Sequence, residues 1–127
     1  MSYLSIPYPP KVFSDDDLQN EIPAIRIGET CYFLPIIYPH GTNDPSNMTV
    51  TIYIVETDSF SFLTENGRYV DALVFENIDN FRDVGLEFIL IEDGDLPGPL
   101  GEVSLEFVVT APHVSGPEPR THRFAYV

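Results

Sequence analysis

Apolar and polar residues alternate along much of the chain with the two-residue period that is typical of β-strands. In three segments the apolar residues occupy every second position: Val103, Leu105, Phe107 and Val109 in EVSLEFVVTA, Val50, Ile52 and Ile54 in MTVTIYIVET, and Leu86, Phe88 and Leu90 in VGLEFILIE. Strands with one apolar face are typical of antiparallel sheets that cover a core on that side and meet water on the other.

About eight strands are predicted, separated by turn residues. They are IPAIRI, ETCYFLPIIY, MTVTIYIVET, SFSFLT, RYVDALVFE, VGLEFILIE, EVSLEFVVTA and RTHRFAYV. Twelve prolines and eight glycines recur between the apolar runs, a spacing that interrupts long helices. The pattern predicts an all-β protein with an antiparallel two-layer β-sandwich, and a small barrel is the alternative.

Three local features refine this prediction. Asn66-Gly67 predicts a two-residue hairpin turn with positive φ at both positions. Pro35 lacks an amide donor, so the strand around it is expected at an edge or bulge, where the chain bends or changes sheet. The segment ENIDNFRDV is either a helical turn that packs Ile78 and Phe81 against a sheet or a simple loop.

The first residues, MSYLSIPYPPKVF, show neither the helical nor the strand period in their apolar residues, and they contain three prolines. Prolines fix φ and remove amide donors, which favours an extended, polyproline-like path. The following SDDDLQNE is predicted to be a polar hinge. We therefore expect two parts: an extended N-terminal arm with its hinge, residues 1–21, and a β-sandwich domain, residues 22–127.

Six apolar side chains of this arm are predicted to bind a partner: Tyr3, Leu4, Ile6, Tyr8, Val12 and Phe13. Each contributes roughly 1 to 3 kcal/mol if it is buried, so another surface is expected to cover them. Either the arm folds back on its own sandwich or it lies on a neighbouring subunit. The polar hinge favours the neighbour.

Composition excludes several classes of function. Twenty acidic residues against six basic ones leave a formal net charge of -14, which repels nucleic acid and anionic membranes, so neither is expected as a partner. A single cysteine cannot form an internal disulfide. The chain start lacks the basic residues and long apolar stretch of a signal peptide, so we expect a protein that is not exported.

Neither catalysis nor a cofactor is predicted. Cys31 could act as a nucleophile with His40, His113 or His122, but it lies in an apolar strand, where a buried thiol is ordinary packing. No G-x-S-x-G elbow occurs, and no pair among the twenty acidic residues is singled out.

The stretch EDGDLPGPLGE is the acidic cluster that most suggests a metal site, because its carboxylates surround a glycine-rich bend. It does not form an EF-hand, since Pro97 and Ser104 stand where calcium ligands are needed, although an irregular calcium site there stays open. The only basic concentration is Arg120, His122 and Arg123, for which pairing with acidic residues on the next strand is expected.

The order of these features resembles a known group of modules. A strand entered through IRIGET, a loop with DPS leading into MTVTIYI, the Asn-Gly hairpin and a final pair of strands EVSLEFVV and RTHRFAYV are similar to the small immunoglobulin-like β-sandwich modules of tailed-phage virion proteins. The likeness spans residues 22–127. The chain has no tryptophan and no cysteine pair, so the immunoglobulin-like description concerns topology alone.

The resemblance implies a non-enzymatic virion subunit, such as a capsid decoration protein or a head or tail accessory, which docks through its N-terminal arm. Its partners are then copies of itself or other capsid or tail proteins, and its location is the virion; otherwise it is expected in the cytoplasm. The alternative is a carbohydrate- or cation-binding module that acts through loops 39–47 and 92–102.

Overall fold

The computed structural model of the protein describes residues 1–93 and 101–127, and nearly all regular structure in these two ranges is β-strand. The strands within them are β1 (Tyr3–Ser5), β2 (Lys11–Phe13), β3 (Thr30–Leu34), β4 (Tyr38–His40), β5 (Met48–Ile54), β6 (Phe60–Leu63), β7 (Tyr69–Val70), β8 (Ala72–Ile78), β9 (Leu86–Glu92), β10 (Gly101–Thr110) and β11 (Arg120–Tyr126). A 3-10 helical turn spans Phe81–Asp83.

The strands form two larger sheets and a small ribbon. One sheet has the strand order β11-β10-β5-β8 and the other the order β2-β3-β9-β6-β7. The ribbon consists of the two strands β1 and β4. All of the ladders between these strands are antiparallel. The predicted all-β, antiparallel class is confirmed, with eleven short strands in the described ranges instead of about eight.

The core lies between the two larger sheets and is aromatic at its centre. The ring of Phe33 on β3 stacks on Phe88 of β9 with 4.0 Å between centroids, and it meets Phe107 of β10 edge-on at 5.4 Å. The apolar positions predicted in the three alternating segments expose at most 4% of their surface. Their burial is the main stabilising contribution to the fold.

Pro35 marks the end of β3, as expected. The chain leaves the five-stranded sheet after Leu34 and returns as β4 in the ribbon with β1. The predicted strand RYVDALVFE also divides, at Asp71: β7 stays with the five-stranded sheet and β8 joins the four-stranded one. These two breaks account for part of the larger number of strands.

The prediction of a strand at IPAIRI is wrong. Its residues make only an isolated parallel bridge beside β11, in which the Ile25 amide donates to the Ala125 carbonyl at 2.9 Å and the Val127 amide donates to the Ile25 carbonyl at 2.8 Å. Pro23 has no amide to donate, and Gly28 at φ +77° turns the chain away, so the pairing is too short for a strand.

The hairpin at Asn66-Gly67 is confirmed, but its turn type differs from the prediction. The Gly67 amide donates to the Thr64 carbonyl, and the Thr64 amide donates to the Arg68 carbonyl, each at 2.9 Å. Only Gly67, at φ +73°, has positive φ, which describes a three-residue loop with a glycine bulge. In ENIDNFRDV, the helical turn buries Phe81 while Ile78 is buried at the end of β8, so the packed alternative is the correct one.

The first 21 residues do not extend away from the sandwich. β1 pairs with β4, and β2 pairs with β3 as an edge strand of the five-stranded sheet. Pro7, Pro9 and Pro10 lie between the two strands, where no ladder amide is needed. The expected extended arm is therefore folded onto its own domain.

The predicted hinge is a closed turn. The Ser14 amide donates to the Asn20 carbonyl at 3.0 Å, and the Asp15 carboxylate accepts hydrogen bonds from the amides of Gln19 and Asn20 at 3.1 and 2.9 Å. Just beyond it, the Ile22 amide donates to the Val12 carbonyl at 2.9 Å. These bonds hold residues 14–21 against β2.

Candidate partner-binding surface

The six side chains predicted to bind a partner fall into two groups. Four of them are buried in their own domain, where Leu4, Ile6, Val12 and Phe13 expose only 2, 5, 7 and 7% of their surface. Tyr3 and Tyr8 remain 45 and 58% exposed. The expectation that a neighbour must shelter all six is therefore corrected: only the two tyrosines are available to a partner.

The pairing of β1 with β4 explains this division. Tyr3 lies opposite His40, Leu4 opposite Pro39, and Ser5 opposite Tyr38. Successive side chains of a strand point to opposite faces, so Leu4 faces inward with Pro39 while the other two pairs share the outer face.

Three tyrosines and a histidine form two aromatic pairs at this outer face, here together called the tyrosine surface: Tyr3, Tyr8, Tyr38 and His40. The rings of Tyr3 and His40 are stacked with 4.4 Å between centroids, and Tyr8 meets Tyr38 edge-on at 6.3 Å. Ser5 Oγ and His40 Nε2 lie 2.9 Å apart and fix the imidazole ring. Tyr38 is 41% exposed.

Hydrogen bonds tie the ribbon that carries this surface to the rest of the domain. The Leu4 amide donates to the Ser115 carbonyl at 2.9 Å, and the Ser115 amide donates to the Ser2 carbonyl at 3.2 Å. Ser2 Oγ donates to the Gly41 carbonyl at 2.9 Å. A Cβ at Gly41 would lie 2.8 Å from the Met1 carbonyl oxygen, so glycine is needed for this close approach.

The loop 39–47 borders the tyrosine surface and is held by an ion pair. The Arg82 guanidinium donates to both carboxylate oxygens of Asp44 at 3.1 Å, and this hydrogen bonding lowers the pKa of the Asp44 carboxyl. Arg82 also lies 4.8 Å above the ring of Phe81. The loop therefore has one fixed contact with the helical turn.

The other predicted loop, 92–102, lies mostly outside the described residues, and with it the acidic positions around Asp95. At its start, the Asp93 carboxylate accepts a hydrogen bond from the Ser61 hydroxyl. Within residues 1–93 and 101–127, histidine, cysteine and carboxylate side chains do not gather in groups of three that could hold a metal ion.

The structure defines the environments of two further residues singled out in the sequence, Cys31 and Arg123. Cys31 is fully buried, and burial raises the pKa of its thiol, the reverse of what an activated nucleophile requires. Arg123 forms a 2.7 Å ion pair with Glu102 on the neighbouring strand, which confirms the cross-strand pairing expected for this basic residue.

His40 and Tyr38 were not among the predicted site residues. The sequence contains a weak signal: the aliphatic residues Leu4 and Ile6, both buried, are separated by Ser5, but this alternation is too short to define a strand. The residues that pair with β1 lie at positions 38–40 on β4, and nothing in the local sequence predicts that these two distant segments pair.

No protein-family model matches the chain, and no curated protein matches it significantly. Within the described ranges, no helix has the length and apolar character needed to cross a membrane. The function of the chain is therefore inferred from its own residues.

Proposed function

We propose that the protein is a non-enzymatic subunit of a protein assembly and that the tyrosine surface binds other copies of the chain. The observation that carries this proposal is the exposed cluster of Tyr3, Tyr8 and Tyr38 on a ribbon held by backbone hydrogen bonds. Tyrosine is enriched where protein surfaces meet, because its ring buries a large area with little loss of side-chain entropy.

The N-terminal segment has a revised role in this proposal. Leu4, Ile6, Val12 and Phe13 attach it to its own sandwich, and this attachment places Tyr3 and Tyr8 beside the tyrosine of β4. The partner then meets a prepared aromatic surface instead of a free chain, which lowers the conformational entropy lost on binding.

Sedimentation velocity over a concentration series tests the proposal. The double variant Tyr8→Ser with Tyr38→Ser should weaken self-association, because it removes an edge-to-face ring pair from the surface. A matched control is Tyr53→Ser with Tyr69→Ser, two tyrosines that are 43 and 63% exposed elsewhere on the molecule. A wild-type chain that stays monomeric throughout, or association that survives the first double variant, contradicts binding between copies through this surface.

The setting we propose for this assembly is a virion, in which the chain is a capsid decoration, head or tail accessory subunit with an immunoglobulin-like sandwich. This is supported by the similarity in the order of strands and turns to phage virion modules. The test is whether a phage genome encodes this sequence and whether mass spectrometry finds the chain in purified virions of that phage; particles that lack the chain contradict the proposal.

A second candidate function is carbohydrate binding at the same end of the molecule. It is favoured by a cavity of 440 Å³ formed by the loop residues Thr42–Asn47 with Pro112–Val114. Its lining combines polar loop residues with the imidazole ring of His113, and a ring beside polar groups suits a sugar. A glycan that raises the melting temperature of the wild type, and does so less with Asn43→Ala in this lining, would favour this candidate over the first.

A further inference from the structure

A second surface, on the side of the sandwich where β8 lies, has an unfilled place in a sheet. On one side, β9 pairs with β3 over residues 86–89. On the other side it pairs with β6 only over residues 90–92, since the ladder between these two strands ends at the pair Phe62 and Leu90; β7 pairs with the opposite edge of β6. Within the described residues, the side of β9 that faces β6 therefore has no strand beside it over residues 86–89.

A cavity of 490 Å³ occupies this place. Its walls include Leu63–Glu65 at the end of β6 and Glu87–Ile89 of β9, and its floor includes Leu73 and Phe75 of β8. These two side chains are only partly buried and pack against the core. The cavity thus combines free backbone donors and acceptors with an apolar floor, which are the two requirements for adding a strand.

A second cavity of 560 Å³ continues along the same groove. It is lined by residues 74–79 of β8 and its following turn and by residues 84–86 before and at the start of β9, and it shares Val74 and Phe75 with the first cavity. β8 is the last strand of the four-stranded sheet, so its outer edge also opens on this groove. The groove is long enough for a segment of several extended residues.

The charges around the groove indicate what occupies it. The charged residues that line the two cavities are all acidic: Glu65 and Glu87 in the first, Glu76 and Asp79 in the second. Because the rim itself is acidic, a segment of a second copy, in which twenty acidic residues stand against six basic ones, is a poor match for this site. The complementary occupant is an extended segment with apolar residues toward Leu73 and Phe75 and cationic residues between them.

We propose that this groove is a strand-addition site that binds an extended, basic and apolar peptide segment of another protein, which pairs with β9 along residues 86–89. The site is separate from the tyrosine surface and does not depend on its function. Main-chain hydrogen bonds to β9 supply affinity, and the acidic rim supplies the preference for lysine and arginine.

Synthetic peptides test this proposal on the full chain. The first alternates lysine with valine and isoleucine; the second replaces each lysine by glutamate; the third has the sequence of the first with methylated backbone nitrogens, which cannot donate to a ladder. We expect binding of the first peptide and at least tenfold weaker binding of the other two, measured by fluorescence polarisation. Hydrogen exchange should slow at the amides of residues 86–89 when the first peptide is added.

Charge reversal at the rim provides the matched variant. Glu65→Lys with Glu87→Lys should weaken binding of the lysine peptide roughly tenfold, since two attractive charge contacts at the exposed rim become repulsive. Asp58→Lys with Glu118→Lys, at exposed positions outside both cavities, should leave it nearly unchanged. Circular dichroism confirms that the variants are folded.

Three results would overturn the proposal. Equal affinity for the lysine and glutamate peptides removes the charge preference, and full affinity of the methylated peptide removes strand pairing. Protection of residues 86–89 that rises with protein concentration in the absence of peptide identifies a second copy of the chain as the occupant.

Discussion

The rings of Tyr3 and His40 lie parallel, with 9° between their planes, at directly opposed positions of β1 and β4. The contact joins the third residue of the chain to a residue 37 positions later and places both on the exposed face of the ribbon. Beneath it, Leu4 is 2% exposed. The N-terminal segment thus has an apolar side that stabilises the domain and an aromatic side that faces outward.

Leu4→Ala should destabilise the protein by about 2 to 4 kcal/mol, because the truncation leaves a cavity under the ribbon. Tyr8→Ala, at a position that is 58% exposed, should change the free energy of unfolding by less than about 1 kcal/mol. Urea denaturation followed by circular dichroism measures both. Equal, small effects would mean that Leu4 is not held in the core.

Deletion of residues 1–13 should remove most of the folded population instead of leaving a stable domain. The deletion removes Pro10 and four other buried side chains, Leu4, Ile6, Val12 and Phe13; these four contribute roughly 1.5 to 3 kcal/mol each, and their sum is comparable to the whole stability of a typical domain. Thermal unfolding and near-ultraviolet circular dichroism test this. A truncated chain with a wild-type melting temperature would show that the segment is an accessory arm after all.

Acid should destabilise the protein through His122. Burial, with a smaller effect of Arg120, lowers the pKa of this imidazole. Its Nε2 has no hydrogen-bond partner among the described residues, and the adjoining cavity of 10 Å³ is at the lower limit for one water.

The unfolded chain binds a proton at His122 near pH 6.5, whereas the folded chain does so only at lower pH. The stability associated with the neutral imidazole is therefore complete above about pH 6.5 and is lost as the pH falls toward the lowered pKa. Urea unfolding at a series of pH values should show this loss in the wild type and a smaller one in His122→Gln. Parallel pH profiles would exclude the effect.

Gly67→Ala should cost about 1 kcal/mol, because alanine is strained at φ +73°. Asn66→Ala should cost less, since Asn66 is not among the residues with positive φ. A comparable loss at both positions would instead indicate the two-residue turn that the Asn-Gly pair predicts. Chemical denaturation of the two variants separates these outcomes, provided that the free energy of unfolding depends on denaturant concentration with the same slope in both.

The strands were predictable where alternation extends over seven or more residues, as in β5, β9 and β10, because the pattern of buried side chains then specifies the face. β1 and β2 were not, since each is three residues long and prolines separate them. Their pairing depends on β4 and β3, so it is a tertiary effect that local propensity does not contain.

The sequence predicts the candidate sites less well than it predicts the fold. Tyr3 and Tyr8 were recognised from their type, but Tyr38 joins them only through the ribbon. The groove beside β9 has no signal in the sequence, because it arises where the ladder between β6 and β9 ends at Leu90. A ladder's end depends on the paths of two strands and has no residue signature of its own.

The four-stranded sheet is asymmetric at its margins. Residues 25–27 lie along the C-terminal end of β11, where they bond to Ala125 and Val127, whereas within the described residues no strand pairs with the outer edge of β8 on the opposite margin. Stacking of copies into a continuous fibre through this sheet requires both margins to accept a neighbour. The bonds at Ala125 and Val127 therefore shorten the free edge of β11, which makes continuous stacking of copies through this sheet less favourable.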